Sequence, residues 1–257
     1  RHGKVLTSYK ADKLLMPAST AKLLTALWSL SVLGPEFRFQ THLTSTGYID
    51  KNTLKGDLYL VGGADPSLTT NDLSGFADAL LEAGIEQVEG RLFFDDTLIP
   101  ESPHINADQP ATATYNPGLS ALSINYNRVV LTWKAKPGTN KFSPAFYSPA
   151  DGQLLPVNNI NIDVKRNNLN AGPPFALIPG RADKWLMSPT LPERGTKVLP
   201  VKQFAGLVAA SLFRTYCERK GILMPQPAPG RAPKNTRLIH THYSQPLWNI
   251  MKGGLKY

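Results

Sequence analysis

Residues 17–33 constrain the fold more than any other stretch. A short polar segment, Pro17-Ala18-Ser19-Thr20-Ala21-Lys22, opens an apolar run whose Leu23, Leu24, Leu27, Trp28, Leu30, Val32 and Leu33 fall on nearly every side of a helix. Pro17 suits a helix start, where its missing N–H costs nothing, and Gly34-Pro35 supplies the stop. The spacing predicts a helix to Leu33 that other elements enclose. Lys22 is its one charge.

Ser19 and Lys22 lie three residues apart, so on a helix their side chains share a face one turn apart. The bare S-x-x-K spacing is expected about once by chance in such a chain, but its context adds weight. The hydroxyl sits behind a proline at a helix N-terminus, and all beyond is core. A lysine entering such a helix must be paired or have its pKa lowered, as is common at functional sites.

The rest reads as many short elements. The 257 residues are 42% apolar, enough for a sizeable core, and 22 prolines and 20 glycines without a repeat period favour a strand-rich or mixed fold. Strands are expected over Val5–Tyr9, Phe37–Thr46, Leu54–Val61, Val88–Phe94, Leu119–Trp133, Asn159–Val164, Trp185–Met187, Thr196–Val201 and Thr236–Tyr243. Helices are expected over Asn71–Ala83, over Phe204–Arg219 and from Gln245 onward. Residues 100–118 read as a loop or small subdomain, 137–149 as turn-rich, and 225–234 as a basic, proline-rich connector.

Several candidates read as structural. Gly62-Gly63-Ala64-Asp65-Pro66 lacks the Gly-Lys-Ser/Thr of a phosphate loop and is a tight turn. Asp95-Asp96 are adjacent strand residues that point to opposite faces, which suits a solvated strand end better than an acid pair. His240 and His242 share a strand face, but no third metal ligand stands nearby. Cys217, the single cysteine, excludes an internal disulfide and a cysteine-based zinc site, and its apolar surroundings predict a buried thiol.

The formal charge of +9 and pI near 9.6 favour anionic partners such as nucleic acid, an anionic membrane surface or acidic wall polymer. No helix-turn-helix, zinc-finger or aromatic RNA-binding pattern is present, so nucleic acid is not expected. No apolar run approaches the roughly 18 residues of a membrane span. The start Arg1-His2-Gly3-Lys4 has no signal-peptide shape. A soluble, trimmed chain is the expectation.

The stretch Lys13-Leu14-Leu15-Met16-Pro17-Ala18-Ser19-Thr20-Ala21-Lys22-Leu23-Leu24-Thr25-Ala26 resembles the S-x-x-K helix of the serine penicillin-recognising enzymes. More narrowly, Gly34-Pro35-Glu36-Phe37-Arg38-Phe39, Leu54-Lys55-Gly56-Asp57-Leu58 and Gly63-Ala64-Asp65-Pro66-Ser67-Leu68 are similar to the DacB-type D-alanyl-D-alanine carboxypeptidases of peptidase family S13, the class C low-mass penicillin-binding proteins. The resemblance implies a mixed α+β fold. An incomplete β-lactamase/transpeptidase-like core, residues 1–40 and 236–257, would carry a strand-rich insertion at 41–235 with a subdomain near 97–164.

The resemblance also implies an acylated nucleophile at Ser19 and a general base at Lys22, with no cofactor and no metal. Substrates would be peptidoglycan stem peptides ending in D-Ala-D-Ala, β-lactams would inhibit, and the setting would be periplasmic or otherwise extracytoplasmic. Peripheral membrane association is left open.

The family's second motif, S-x-N, has a literal match at Ser123-Ile124-Asn125, but this lies within the expected insertion, whereas the family's follows a later helix. Ser123 and Asn125 are therefore read as structural. The third motif, Lys-Thr-Gly, is absent, so the chain is expected to be an N-terminal portion of a longer enzyme. A β-lactamase-like hydrolase and a non-catalytic wall-binding or scaffolding protein are the competing readings.

Overall fold

The computed structural model describes residues 3–135, 142–150, 153–157, 163–166, 174–178, 184–188 and 191–256. The chain divides into two compact units, Arg1–Arg38 with Gln245–Tyr257, and Phe39–Ser244. The described helices are α1 (Ala21–Leu33), α2 (Asp72–Glu82), α3 (Ala205–Arg219) and α4 (Leu247–Leu255). None is long and apolar enough to cross a membrane.

In the first unit, α1 follows a 3-10 turn at Ala18–Thr20 and stops at Gly34, whose φ of 84° favours glycine. Helix α4 packs alongside it. Two backbone bonds fix the start of α4: Leu247 N–H donates to Phe37 O at 2.8 Å and Trp248 N–H to Pro35 O at 3.1 Å. Residues Val5–Tyr9 form no strand, because no described segment pairs with them. The expected enclosure of α1 is also absent among the described residues. Ala26 is its one buried residue, while Leu24 and Trp28 are 71% and 69% exposed.

The second unit holds the core. Its main sheet combines β1 (Gln40–Ser45), β4 (Leu58–Val61), β6 (Leu92–Asp95), β14 (Pro227–Pro229) and β15 (Arg237–Tyr243) in the order β14-β6-β4-β1-β15. Pairs β1–β15 and β1–β4 are antiparallel, and β4–β6 and β14–β6 are parallel. In β1 the alternation expected from the sequence appears directly, with Thr41, Leu43 and Ser45 buried. Helices α2 and α3 pack together and on this sheet, with Phe76 and Phe213 in edge contact at 6.3 Å. A small sheet of β2 (Tyr48–Asp50), β3 (Thr53–Lys55) and β5 (Gln87–Val88) stands beside it in sequence, so the single strand expected over Leu54–Val61 is two.

The middle of the chain forms an antiparallel sheet of β13 (Arg194–Pro200), β7 (Arg128–Ala135), β8 (Phe142–Ala150) and β9 (Gln153–Pro156), in that order. Strands β10 (Asp163–Arg166), β12 (Lys184–Met187) and β11 (Phe175–Leu177) form another. Two expectations change here. Leu119–Trp133 is strand only from Arg128, because Asn125, Tyr126 and Asn127 adopt φ of 49°, 58° and 54° and end any extended run. Part of the turn-rich 137–149 stretch is β8, whose Pro149 lies opposite Leu154. Residues 159–162 of the expected Asn159–Val164 strand lie outside the described residues. Strand β15 pairs with β1 and so belongs with the second unit.

Candidate acyl-transfer site

Pro17 precedes the 3-10 turn that carries Ser19, and Lys22 stands in the first turn of α1. The turn is tied at its base: Thr20 N–H and Thr20 Oγ1 donate to Pro17 O at 3.0 and 2.5 Å. Ala18, next to Ser19, takes φ of 46°, a left-handed conformation that costs an alanine roughly 1 kcal/mol or more. Such strain clusters at functional positions.

Ser19 and Lys22 are both exposed. No side chain caps the start of α1, and the Ala21 N–H is taken up by the carbonyls of the 3-10 turn, so the positive end of the helix dipole lies at the turn that carries Ser19. A hydroxyl and an amine one turn on, at the positive end of a helix dipole, can together serve acyl transfer. Sequence reasoning placed Lys22 at the mouth of a buried helix. The described residues do not supply that burial.

The literal Ser123-Ile124-Asn125 match has a packing role. Asn125 Nδ2 donates to Thr70 Oγ1 at 2.6 Å and to Ser148 Oγ at 2.7 Å, and its Oδ1 accepts from Thr70 N–H at 3.2 Å. Ser123 Oγ donates to Ser120 O at 3.3 Å. The Asp95–Asp96 expectation is corrected. Asp95 is buried rather than solvated: Oδ1 accepts from Thr97 Oγ1 at 2.7 Å, and Oδ2 from Ala232 N–H at 2.8 Å. Asp96 accepts from Ser120 Oγ at 3.2 Å.

His240 and His242 do share a face, and both lie against Phe76, at 5.1 and 6.2 Å. His242 Nε2 stands 3.8 Å from Asp65 Oδ2, a buried oxygen without a hydrogen bond. Among the described residues no group of three His, Cys, Asp or Glu side chains could hold a metal. Asp65 reads in the sequence as a turn residue, since nothing in Gly63-Ala64-Asp65-Pro66 signals a contact with a strand some 180 residues later. Cys217 is buried, and desolvation pushes its thiol pKa well up, which suits packing and not nucleophilic chemistry.

The chain is similar to known proteins over most of its length. A D-alanyl-D-alanine carboxypeptidase of Actinomadura sp. (strain R39) is 33% identical over 126 residues, covering 48% of this chain and 23% of that protein. The crystal structure of penicillin binding protein 4 (dacB) from Haemophilus influenzae superposes with a TM-score of 0.71 at 21% identity, covering 95% of this chain and 55% of that one. A second structure of that protein, complexed with a novel β-lactam, gives a TM-score of 0.61 at 19% identity, covering 92% and 51%. The chain thus spans about half the length of those solved structures, and they share its mixed α/β fold. The D-Ala-D-Ala carboxypeptidase 3 (S13) family pattern runs through residues 1–256, and the chain belongs to that family.

Proposed function

We propose that the whole protein is a serine D-Ala-D-Ala carboxypeptidase or endopeptidase that acts on peptidoglycan peptides through an acyl-enzyme. The observation that carries this reading is the placement of Ser19 and Lys22 at the uncapped start of α1 in a chain of the S13 family. Lys22 Nζ takes the Ser19 hydroxyl proton as Oγ attacks the carbonyl of the penultimate D-Ala. The C–N bond breaks, the departing amine takes a proton, and water then cleaves the Ser19 ester. By analogy with the family, the Ser19 backbone N–H is one donor to the oxyanion.

A β-lactam presents a similar carbonyl and would acylate the same oxygen. The solved relative complexed with a β-lactam supports this expectation. Residues 1–38 and 245–257 are read as part of the catalytic core, with 39–244, the unit to which β15 belongs, inserted between them. The relatives are longer, and the exposed apolar face of α1 is read as one that their further length covers. The cell-wall chemistry of the family supports an extracytoplasmic setting, periplasmic in this reading. The basic charge suits a protein held near anionic wall or membrane surfaces.

Labelling the full-length protein with a fluorescent penicillin tests the reading. A stable adduct is expected, absent in Ser19→Ala and formed at least about a hundredfold more slowly in Lys22→Ala. An adduct independent of Ser19 would sink the acyl-enzyme. Rapid loss of the adduct would favour a β-lactamase.

A further inference from the structure

The second unit contains a cavity of about 300 Å³ that the proposed chemistry does not use. Pro66, Ile105, Leu119 and Tyr115 line it together with the turn that carries Tyr126 and Arg128. Its size and mainly apolar lining with few polar groups are those of a ligand site.

The wall is held firmly. Asn127 Nδ2 donates to Gly118 O at 2.9 Å and to Val201 O at 3.3 Å, while Gly118 N–H donates to Val201 O at 2.8 Å. This bracing maintains the left-handed run Asn125–Asn127, a conformation that L-residues rarely adopt in succession. Its consequence is that Tyr126 stands 66% exposed at the rim, with Tyr115 at 60%. Strained backbone that presents an aromatic ring to solvent beside a cavity is characteristic of ligand clamps.

Charge selects the ligand. Arg128 is anchored by Nε, which donates to Thr114 O at 2.7 Å, and its guanidinium lies 5.6 Å from the Tyr126 ring centroid. Among the described residues its terminal nitrogens have no acceptor, so two parallel N–H groups are available to a carboxylate. Asp65 also borders the cavity, but its carboxylate is 1% exposed and turned to Ser67 and His242. Apart from the hydroxyls of Tyr115 and Tyr126, the remaining polar side chains are engaged in the wall: Ser120 with Asp96, Ser123 with Ser120 O, and Asn127 as above. A sugar, with many hydroxyls to satisfy, would find only the two tyrosine hydroxyls and Arg128 as free polar partners among the described residues. A carboxylate flanked by small apolar groups would be matched.

We infer that this cavity binds a short acidic peptide, its carboxylate on the Arg128 guanidinium and its small apolar side chains against Tyr115 and Tyr126. The source of such a peptide in the cell rests on the proposed reading, under which wall peptides are what the protein meets. Binding itself does not require Ser19.

The test is calorimetric titration of full-length Ser19→Ala protein with acetyl-Ala-Glu-amide and, as the uncharged isostere, acetyl-Ala-Gln-amide. The Glu peptide is expected to bind at least about tenfold more tightly, with an affinity that falls as salt is raised. Arg128→Gln should remove that preference, Arg128→Lys should retain part of it, and Tyr126→Ala should weaken both peptides. Circular dichroism confirms that each variant is folded. Equal binding of the two peptides, no binding of either, or a preference that survives Arg128→Gln would overturn the inference. Because Ser19 is absent throughout, failure here is separable from failure of penicillin labelling, which bears on the acyl-enzyme alone.

Discussion

Asn125 joins segments far apart in sequence, because its one amide serves both Thr70 and Ser148, each of them fully buried. Asn125→Ala removes the hydrogen bonds to Thr70 and Ser148 and leaves an alanine at φ of 49°, so a loss of about 1–3 kcal/mol is expected in urea unfolding. A change below about 0.5 kcal/mol would show the network to be incidental. Cys217 gives a second expectation at this scale. Its buried thiol, with a pKa raised by desolvation, should resist iodoacetamide until the protein unfolds. Labelling of folded protein at the rate of a free thiol would contradict the packing around it. The buried Cys217 thiol, and the position of Ser19 and Lys22 at the start of a helix, were legible in the sequence because local context singled them out. Asp65, Thr70 and Arg128 were not, since their partners arrive from distant segments and leave no local pattern.

The β1–β15 pair shows what an element adds. His42 faces one side of the pair and hydrogen-bonds through Nδ1 with Thr241 Oγ1 at 2.9 Å, while His240 faces the other beside Phe76. Burial lowers the pKa of both. For His240 the nearby His242 adds to the lowering and Glu82 opposes it. The unfolded chain therefore takes up these protons first as pH falls. The stability they contribute is fully present above about 6.5 and is lost as pH drops through that value toward the folded pKa values. The urea midpoint should be flat between about pH 8 and 7 and decline toward pH 5.5. His240→Phe, which keeps a ring against Phe76, should shallow that decline. A midpoint that rises on acidification would refute the assignment. Strands β1 and β15, with α2 and α3, were readable from hydrophobic periodicity and flanking breakers. The 119–127 segment was not, because three left-handed residues interrupt an apolar run that otherwise reads as strand. Nor was β8, where proline spacing imitates a turn.

At the scale of the molecule, burial is uneven. Every member of the connected hydrophobic core lies between Leu43 and Met224, within the Phe39–Ser244 unit. In the other unit the buried apolar residues among those described are Ala26 and Leu247. The S-x-x-K helix was easy to read as core because its composition is that of a core helix, yet composition does not say which residues do the covering. The larger unit is also closed at its own ends: Phe39 N–H donates to Ser244 Oγ and Ser244 N–H to Phe39 O, both at 2.9 Å, so its first and last residues meet across the β1–β15 pair. A segment with a complete core and adjacent termini meets the physical requirements of an independent domain. Residues 39–244 expressed alone should thus unfold cooperatively, with a midpoint within a few degrees of the same transition in the longer protein. Residues 1–38 alone should show little helix, since an apolar helix of this length without a packing surface is marginal in water. If 39–244 instead bound hydrophobic dye and melted without a transition, the core would depend on the flanking segments for its folding.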